Sequence, residues 1–249
     1  MDKSRPNNSG SSAGSNEASV GRGKATTVVL ALAAALMGWG MLESHLFRVR
    51  PKIEQVNMMG VVYNDVSTRT RTAAELFELR GIMGASAAVL GLAMGLAGAR
   101  SVRSWRAALV AAACGAAAGA LVSIVAASIA VPLYERAEVA SAGDLSRSII
   151  LHLALWAPMG ATAGLAYALA ARHGRAAPIL AATAGAAGGA ILYDVVGAIA
   201  FPLAETGKPL AAEMIPRLLG FLFVALGVAA GLVLAQRGAP APPVRPTAG

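Results

Sequence analysis

Apolar residues fall into six long, uninterrupted stretches that are separated by short polar connections. The stretches are Ala25–Leu42, Gly81–Ala99, Ala107–Leu133, Ile149–Ala171, Ala177–Leu203 and Leu218–Ala235. Each is close to the roughly 20 residues that a helix needs to cross a bilayer core of about 30 Å. None of them alternates with a period of two, and all are rich in Ala, Leu and Gly, which favours helices over strands. The predicted fold class is therefore an all-α integral membrane protein with six transmembrane helices.

The remaining segments are polar. Residues 1–24 combine Asn, Ser, Gly and scattered charge, which predicts a disordered cytoplasmic tail. Residues 238–249 are rich in Pro and predict a second disordered tail. The six-helix domain occupies 25–237, with an outer-side insertion at 47–72. Within the insertion, the triplet Tyr63–Asp65 is typical of a turn.

Part of the sequence repeats. At a shift of 70 residues, Gly115–Glu135 aligns with Gly185–Glu205, and 11 of 21 positions are identical. The shared ending Pro-Leu-x-Glu is the most specific part of this match, because Ala and Gly matches are common in such a composition. The repeat predicts three helical hairpins, formed by spans 1–2, 3–4 and 5–6, which cross the membrane in the same sense as parallel repeats.

Five of the six spans contain two glycines spaced four residues apart. The glycines are Gly91 and Gly95, Gly115 and Gly119, Gly160 and Gly164, Gly185 and Gly189, and Gly227 and Gly231. Such pairs lie on one helix face and let two backbones approach closely, so we expect Gly/Ala-rich packing between the helices. Bulky and polar residues concentrate in the opposite half of the spans, which predicts helices that splay into a vestibule at the outer end.

Composition and charge support a membrane location. Charged residues make up 14% of the chain, against about 25% in soluble domains. The net charge is +8, yet no basic helix or aromatic–basic pattern favours nucleic acid as a partner. The single cysteine, Cys114, excludes a disulfide framework. The lipid bilayer is thus the first predicted partner.

The distribution of charge predicts the orientation. The side with both termini has 11 basic and two acidic residues, whereas the opposite loops have ten of each. Arginines in the tight turns 100–106 and 172–175 lack acidic neighbours. We therefore place both termini in the cytoplasm of a bacterial cell, in its inner membrane, with the basic face against anionic lipid.

Asp194 is the one acidic residue that falls inside a span. A carboxylate near the middle of a membrane helix costs about 2.5–3.5 kcal/mol, so it should face a partner or water. His152 lies at a similar depth in the fourth span, and Tyr193 is adjacent. These three residues are the candidate proton or cation site. The alternative is that Asp194 is a hydrogen-bonded packing residue, tied to a serine or a backbone carbonyl of a neighbouring helix.

Charged residues near the outer ends of the spans predict an alternating ring. Its members are Glu43, Glu135, Glu205, Arg80, Arg147 and Arg217. Such a ring anchors helices at the interface and pairs them, or attracts cations to a pore mouth. An alternative joins Glu43 and His45 to Asp194 and His152 in a divalent-cation site. These ligands have no fixed spacing, so neither a metal nor a cofactor is predicted.

Two functions fit these features. The first is permeation or transport of a small solute or ion, such as a proton or another cation. The alternative is a non-catalytic structural or assembly subunit whose Gly/Ala faces bind other membrane helices. The sequence contains no Gly-x-Ser-x-Gly, His-Glu-x-x-His or phosphate-binding glycine motif, so we expect no enzymatic activity.

Overall fold

A computed structural model describes residues 12–99, 105–138, 145–171 and 176–237. These residues form six helices and a pair of strands. Their bounds are α1 Ser12–Glu43, β1 Glu54–Met58, β2 Val61–Asp65, α2 Thr68–Ala99, α3 Trp105–Glu138, α4 Leu145–Ala171, α5 Ala176–Ala200 and α6 Met214–Arg237. Each predicted span coincides with one helix, and all six helices are long and apolar enough to cross a membrane. The chain is therefore a multi-pass, six-span helical protein.

Several helices extend beyond the predicted spans. Helix α1 begins at Ser12, inside the segment 1–24 that was predicted to be disordered; residues 1–11 and 238–249 lie outside the described residues. Helix α2 begins well before the span at Gly81, because Ser67 caps it: the Ser67 hydroxyl accepts the backbone N–H of Thr70 at 3.3 Å. Polar residues can continue a helix whose apolar part lies in lipid, so hydropathy marks the span and not the helix end.

The insertion contains a β-hairpin, which the sequence analysis did not predict. Strands β1 and β2 pair antiparallel, with Glu54 opposite Asp65 and Met58 opposite Val61. The turn is Met59–Gly60, where both residues have positive φ angles of 54° and 85°, as in the tight turns that favour hairpins. The prediction of a turn at Tyr63–Asp65 was wrong, because these residues form strand β2. We call this end of the bundle the hairpin end, and the opposite end the terminal end.

The even-numbered helices lie inside the bundle and the odd-numbered helices lie outside. In the most apolar stretch of each span, 72% of the residues are buried in α2, 56% in α4 and 44% in α6, against 33% in each of α1, α3 and α5. Helix α1 packs against α2 and α6, α3 against α2 and α4, and α5 against α4 and α6. Each outer helix therefore bridges two inner ones.

The predicted packing glycines all contact another helix of the chain. Gly185 of α5 lies against the Gly227 carbonyl of α6, and a Cβ at Gly119 of α3 would lie 2.6 Å from the Ala87 carbonyl oxygen of α2. The remaining members are equally close to a neighbouring helix: Gly91, Gly95, Gly115, Gly160, Gly164, Gly189 and Gly231. Any larger side chain at these positions would push two helices apart.

Candidate functional site

The predicted residues Asp194 and His152 meet inside the bundle. Helices α4 and α5 pack side by side and run in opposite directions, so a residue about two turns from the start of α4 lies level with one about two turns from the end of α5. His152 Nδ1 is 2.7 Å from Asp194 Oδ1. Only 1% of His152 and 2% of Asp194 is exposed, so the pair is sealed between the helices.

Ser148 completes the arrangement. Its hydroxyl donates a hydrogen bond of 2.6 Å to Asp194 Oδ1 and lies 3.4 Å from His152 Nδ1. Ser148 precedes His152 by one helical turn, so both side chains lie on the same face of α4. With Ser148 also buried, the three residues form a single polar site, which we call the Ser148–His152–Asp194 cluster.

The connection 201–213 covers this cluster from the hairpin end. The second ring nitrogen of the imidazole, Nε2 of His152, lies 3.1 Å from the backbone carbonyl oxygen of Lys208. A backbone hydrogen bond of 2.9 Å from Ala212 to the Ala204 carbonyl closes the connection into a compact loop. The side of the cluster that faces the hairpin end is therefore made by backbone.

The loop contacts both helices, and at Gly197 it approaches more closely than a larger residue would allow. A Cβ at Gly197 of α5 would lie 2.7 Å from Thr206 Oγ1, and a Cβ at Gly207 would lie 3.6 Å from the Ser148 side chain. The loop thus touches α5 at Gly197 and α4 at Ser148. Any movement of the loop away from the bundle would break these contacts together with the Lys208 hydrogen bond.

The hydrogen-bond geometry fixes how many protons the pair holds. Because a backbone carbonyl can only accept, His152 Nε2 must carry a hydrogen. The contact between Nδ1 and Asp194 Oδ1 then requires one further hydrogen, on either the imidazole or the carboxyl group. In both arrangements the pair is neutral overall. The two groups therefore share one hydrogen bond in a buried site.

Asp194 keeps one unused acceptor. Its second oxygen, Oδ2, is buried and has no hydrogen-bond partner in the part of the chain that the structure describes. Such an atom costs about 1–3 kcal/mol when it is left unsatisfied.

Tyr193, the third predicted residue, packs its ring edge-on against the His152 imidazole, with centroids 5.2 Å apart and planes at 86°. Tyr193 therefore contacts the pair by aromatic packing.

A cleft of about 440 Å³ opens beside the cluster at the hairpin end. It lies between α2, α3 and the loop 201–213, to one side of the bundle axis and not on it. Three carboxylates, one ammonium, a tyrosine and five apolar side chains form its walls: Glu75, Glu78, Glu135, Lys208, Tyr134, Leu76, Leu79, Val131, Pro209 and Leu210. Lys208 therefore belongs to both places, since its side chain lines the cleft while its carbonyl oxygen accepts from His152.

Three residues of the predicted charged ring take part in ion pairs at the hairpin end of the bundle. Glu43 at the end of α1 pairs with Arg217 at the start of α6, with a distance of 3.1 Å between Oε1 and Nε. Glu205 pairs instead with Lys208 at 2.7 Å, and Glu135 lines the cleft. The two other members, Arg80 of α2 and Arg147 of α4, lie at the same end of the bundle.

The alternative divalent-cation site is not assembled. His45 is exposed in the turn that follows α1 and has a positive φ of 55°, while Glu43 is engaged by Arg217. Among the described residues, no group of three His, Cys, Asp or Glu side chains could hold a metal ion.

The cluster also differs from a hydrolytic triad, although it contains Ser, His and Asp. In such a triad the serine contacts the imidazole nitrogen opposite the aspartate, so that the imidazole can remove its proton. Here Ser148 donates to the aspartate itself, and Nε2 of His152 is occupied by the Lys208 carbonyl. The geometry of the cluster is therefore not that of a hydrolytic triad.

Sequence reasoning did not identify Ser148 or the Lys208 carbonyl as parts of the site. The four-residue spacing of Ser148 and His152 was available as a signal, because it places both on one face of α4. The Lys208 contribution comes from the backbone of a loop, to which no side-chain pattern points.

No protein family, curated protein or solved structure matches this chain. The Ser148–His152–Asp194 cluster is therefore the feature from which its function has to be inferred.

Proposed function

We propose that this protein moves a small ion or solute across a membrane, with a proton on the His152–Asp194 pair taking part in the movement. The single observation that carries the proposal is the contact of 2.7 Å between His152 Nδ1 and Asp194 Oδ1, buried between two membrane helices. Buried ionisable pairs are expensive in lipid and are typically retained where protons or ions move. The proposal contains no catalytic step, no bound cofactor or metal, and no nucleic acid.

The cleft is the proposed entry point from the hairpin end. Its carboxylates favour a cation, and its apolar walls provide a site of the size that small ligands occupy, about 300–1,000 Å³. Because Lys208 contributes to both the cleft and the cluster, displacement of the loop 201–213 would connect them. Transport by this route requires the loop to move, because the loop covers the cluster in this structure.

Transport would also require the space between the helices inside the bundle to widen. Trp156 follows His152 by one turn on the same face of α4 and, with Ser86 of α2, lines a cavity of only about 10 Å³ between α1, α2, α4 and α6. That volume holds no more than a single water molecule. The proposal is therefore alternating access, with rearranging helices, and not a permanently open pore.

We further propose that the six helices are three parallel hairpin repeats held by Gly/Ala packing. The arrangement of inner even-numbered and outer odd-numbered helices supports this, because each hairpin contributes one helix to each layer. We place the terminal end in the cytoplasm and the hairpin end outside an inner membrane, on the basis of the arginine-rich turns at the terminal end.

The alternative function is a structural or assembly subunit that binds other membrane helices. Ala184 and Gly188 support it, because they are exposed four residues apart on α5 and nothing lies near Gly188. The ten predicted packing glycines weaken it, because all of them contact helices of this same chain. We therefore rank transport first.

The test compares Asp194→Asn with wild-type protein in sealed vesicles that contain a pH-sensitive dye. We expect wild-type protein to dissipate an imposed pH gradient, alone or with an added cation, and the variant to fall to the rate of protein-free vesicles. Asp65→Asn is the matched control, because Asp65 is an exposed carboxylate of the hairpin and its loss should change nothing.

Folding is monitored separately by size-exclusion chromatography and helical circular dichroism. If Asp194→Asn fails to fold, Ser148→Ala replaces it as the test, because this variant removes only one hydrogen bond to the carboxylate. Equal flux of protons and divalent cations in protein-free, wild-type and variant vesicles would reject transport of these ions. Flux that persists unchanged in both folded variants would reject the role of the cluster.

A further inference from the structure

A short basic segment, residues 44–53, follows the first membrane helix at the hairpin end. Its three cations, Arg48, Arg50 and Lys52, are all exposed, and the segment contains no acidic residue. In the described part of the chain, none of these three side chains takes part in an ion pair or a hydrogen bond. Unpaired cations this close together repel one another unless an anion lies nearby.

Exposed apolar side chains alternate with these cations. Leu46 is 69% exposed, Val49 41% and Ile53 68%. In water, such residues would add apolar surface with nothing to cover it. A segment that alternates basic and aliphatic residues instead suits the interface of a bilayer, where the cations reach headgroups and the aliphatic side chains reach the acyl boundary.

The start of this segment lies next to the end of the candidate membrane span of α1. The candidate span of α1 ends at Glu43, which pairs with Arg217 at the start of α6. Phe47 packs onto Gly81 of α2, where a Cβ would lie 2.5 Å from its ring. Arg50 follows Phe47 by three residues, which is at most about 11 Å of extended chain, so at least its backbone stays within about one Debye length of the surface.

We propose that residues 44–53 form an interfacial clamp that binds anionic phospholipid headgroups through Arg48, Arg50 and Lys52. Complementary charge identifies the partner, and continuity with the end of α1 places a bilayer surface within reach. An acidic protein partner would satisfy the cations equally well, but it would not require aliphatic residues beside the end of a membrane helix. This inference does not depend on the proposed transport function.

The experiment uses the full chain with one fluorescent reporter. Cys114, the only cysteine, is replaced by Ala, and Val49→Cys carries an environment-sensitive fluorophore in lipid nanodiscs. In discs that contain phosphatidylglycerol we expect a blue-shifted emission, compared with discs of phosphatidylcholine alone. About 0.5 M salt should reduce the shift, because it screens exposed charges to a range of a few ångströms.

A triple variant, Arg48→Gln, Arg50→Gln and Lys52→Gln, tests the assignment of the cations. We expect the preference for the anionic lipid to fall about fivefold for each charge that is removed. The double variant Arg69→Gln and Arg71→Gln removes exposed cations from the start of α2 and serves as the matched control, which should retain the preference.

Three results would overturn the inference. The first is the same emission spectrum in both lipids at low salt. The second is a shift that survives the triple variant. A shift in phosphatidylcholine discs that grows with the number of protein copies in each disc would also overturn it, because it would identify a second chain as the partner of the segment.

Discussion

Ser148→Ala offers a direct energetic test of the buried cluster. The substitution removes a hydroxyl that donates to Asp194 Oδ1 at 2.6 Å and leaves the backbone of α4 unchanged. Ser128→Ala is the matched control, because Ser128 is half-buried on α3 and bonds to the Ile124 carbonyl of its own helix, at 2.6 Å. Both variants exchange serine for alanine inside a membrane helix, so helix propensity and hydropathy change equally.

The size of the effect follows from the burial of the acceptor. A hydrogen bond to a charged group contributes about 1.5–3 kcal/mol in proteins, whereas hydrogen bonds between membrane helices average about 0.6 and reach about 1.7 kcal/mol. Since Asp194 is 2% exposed, no solvent can replace the lost donor. We therefore expect Ser148→Ala to lower the free energy of unfolding by about 1–2 kcal/mol, and Ser128→Ala to change it by less than about 0.5 kcal/mol.

The measurement is reversible unfolding in mixed micelles, with the denaturing detergent titrated and helicity followed by circular dichroism. A double-mutant cycle with Asp194→Asn then isolates the interaction free energy between the Ser148 and Asp194 side chains. We expect the two single variants to be non-additive by about 0.5–3 kcal/mol, as residues in contact generally are. Equal stabilities of Ser148→Ala and Ser128→Ala, together with an additive cycle, would refute the view that the cluster is a coupled unit.

Two further substitutions probe how the helices are held together. Gly185→Ala should destabilise the fold by about 1–3 kcal/mol, because the added Cβ would collide with the Gly227 carbonyl group. Gly188→Ala should be neutral or stabilising, because Gly188 has open space around it on the same helix. Equal melting temperatures for the two variants would contradict the packing described. Arg217→Gln breaks the half-buried pair with Glu43 at 3.1 Å and should lower the free energy of unfolding by about 0.5–1 kcal/mol. Arg136→Gln, at an exposed position of α3, should not change it measurably. An equal loss in both variants would assign the effect to the change in net charge and not to the ion pair.

The sequence predicts the membrane-crossing parts of the fold well, because lipid imposes a simple rule on helix length. It predicts the ends less well. Helix α2 begins at Thr68, although the apolar span begins at Gly81, since the polar residues between them form a capped helix outside the apolar stretch. The hairpin was missed for a related reason: its turn at Met59–Gly60 depends on positive φ angles, and it lacks the Asn-Gly or Asp-Gly pair that signals such turns.

The site is only partly predictable. Depth along the spans brings Asp194 and His152 to the same level, because rise per residue is constant in a helix. Which residue Asp194 contacts depends on how α4 rotates against α5, and the weak amphipathicity of both helices does not determine that rotation. Ser148, 46 residues away from Asp194 in the chain, and the carbonyl of Lys208 therefore become apparent only in three dimensions.

The contacts of α1 have a consequence for how the protein is made. This helix packs against α2, its neighbour in sequence, and against α6. Because α1 is synthesised before α6, one face of α1 is covered only by lipid until α6 has been inserted. A chain that stops before α6 would expose that face together with the unpaired carboxylate of Glu43. The junction between α1 and α6 is thus formed only after α6 has been inserted.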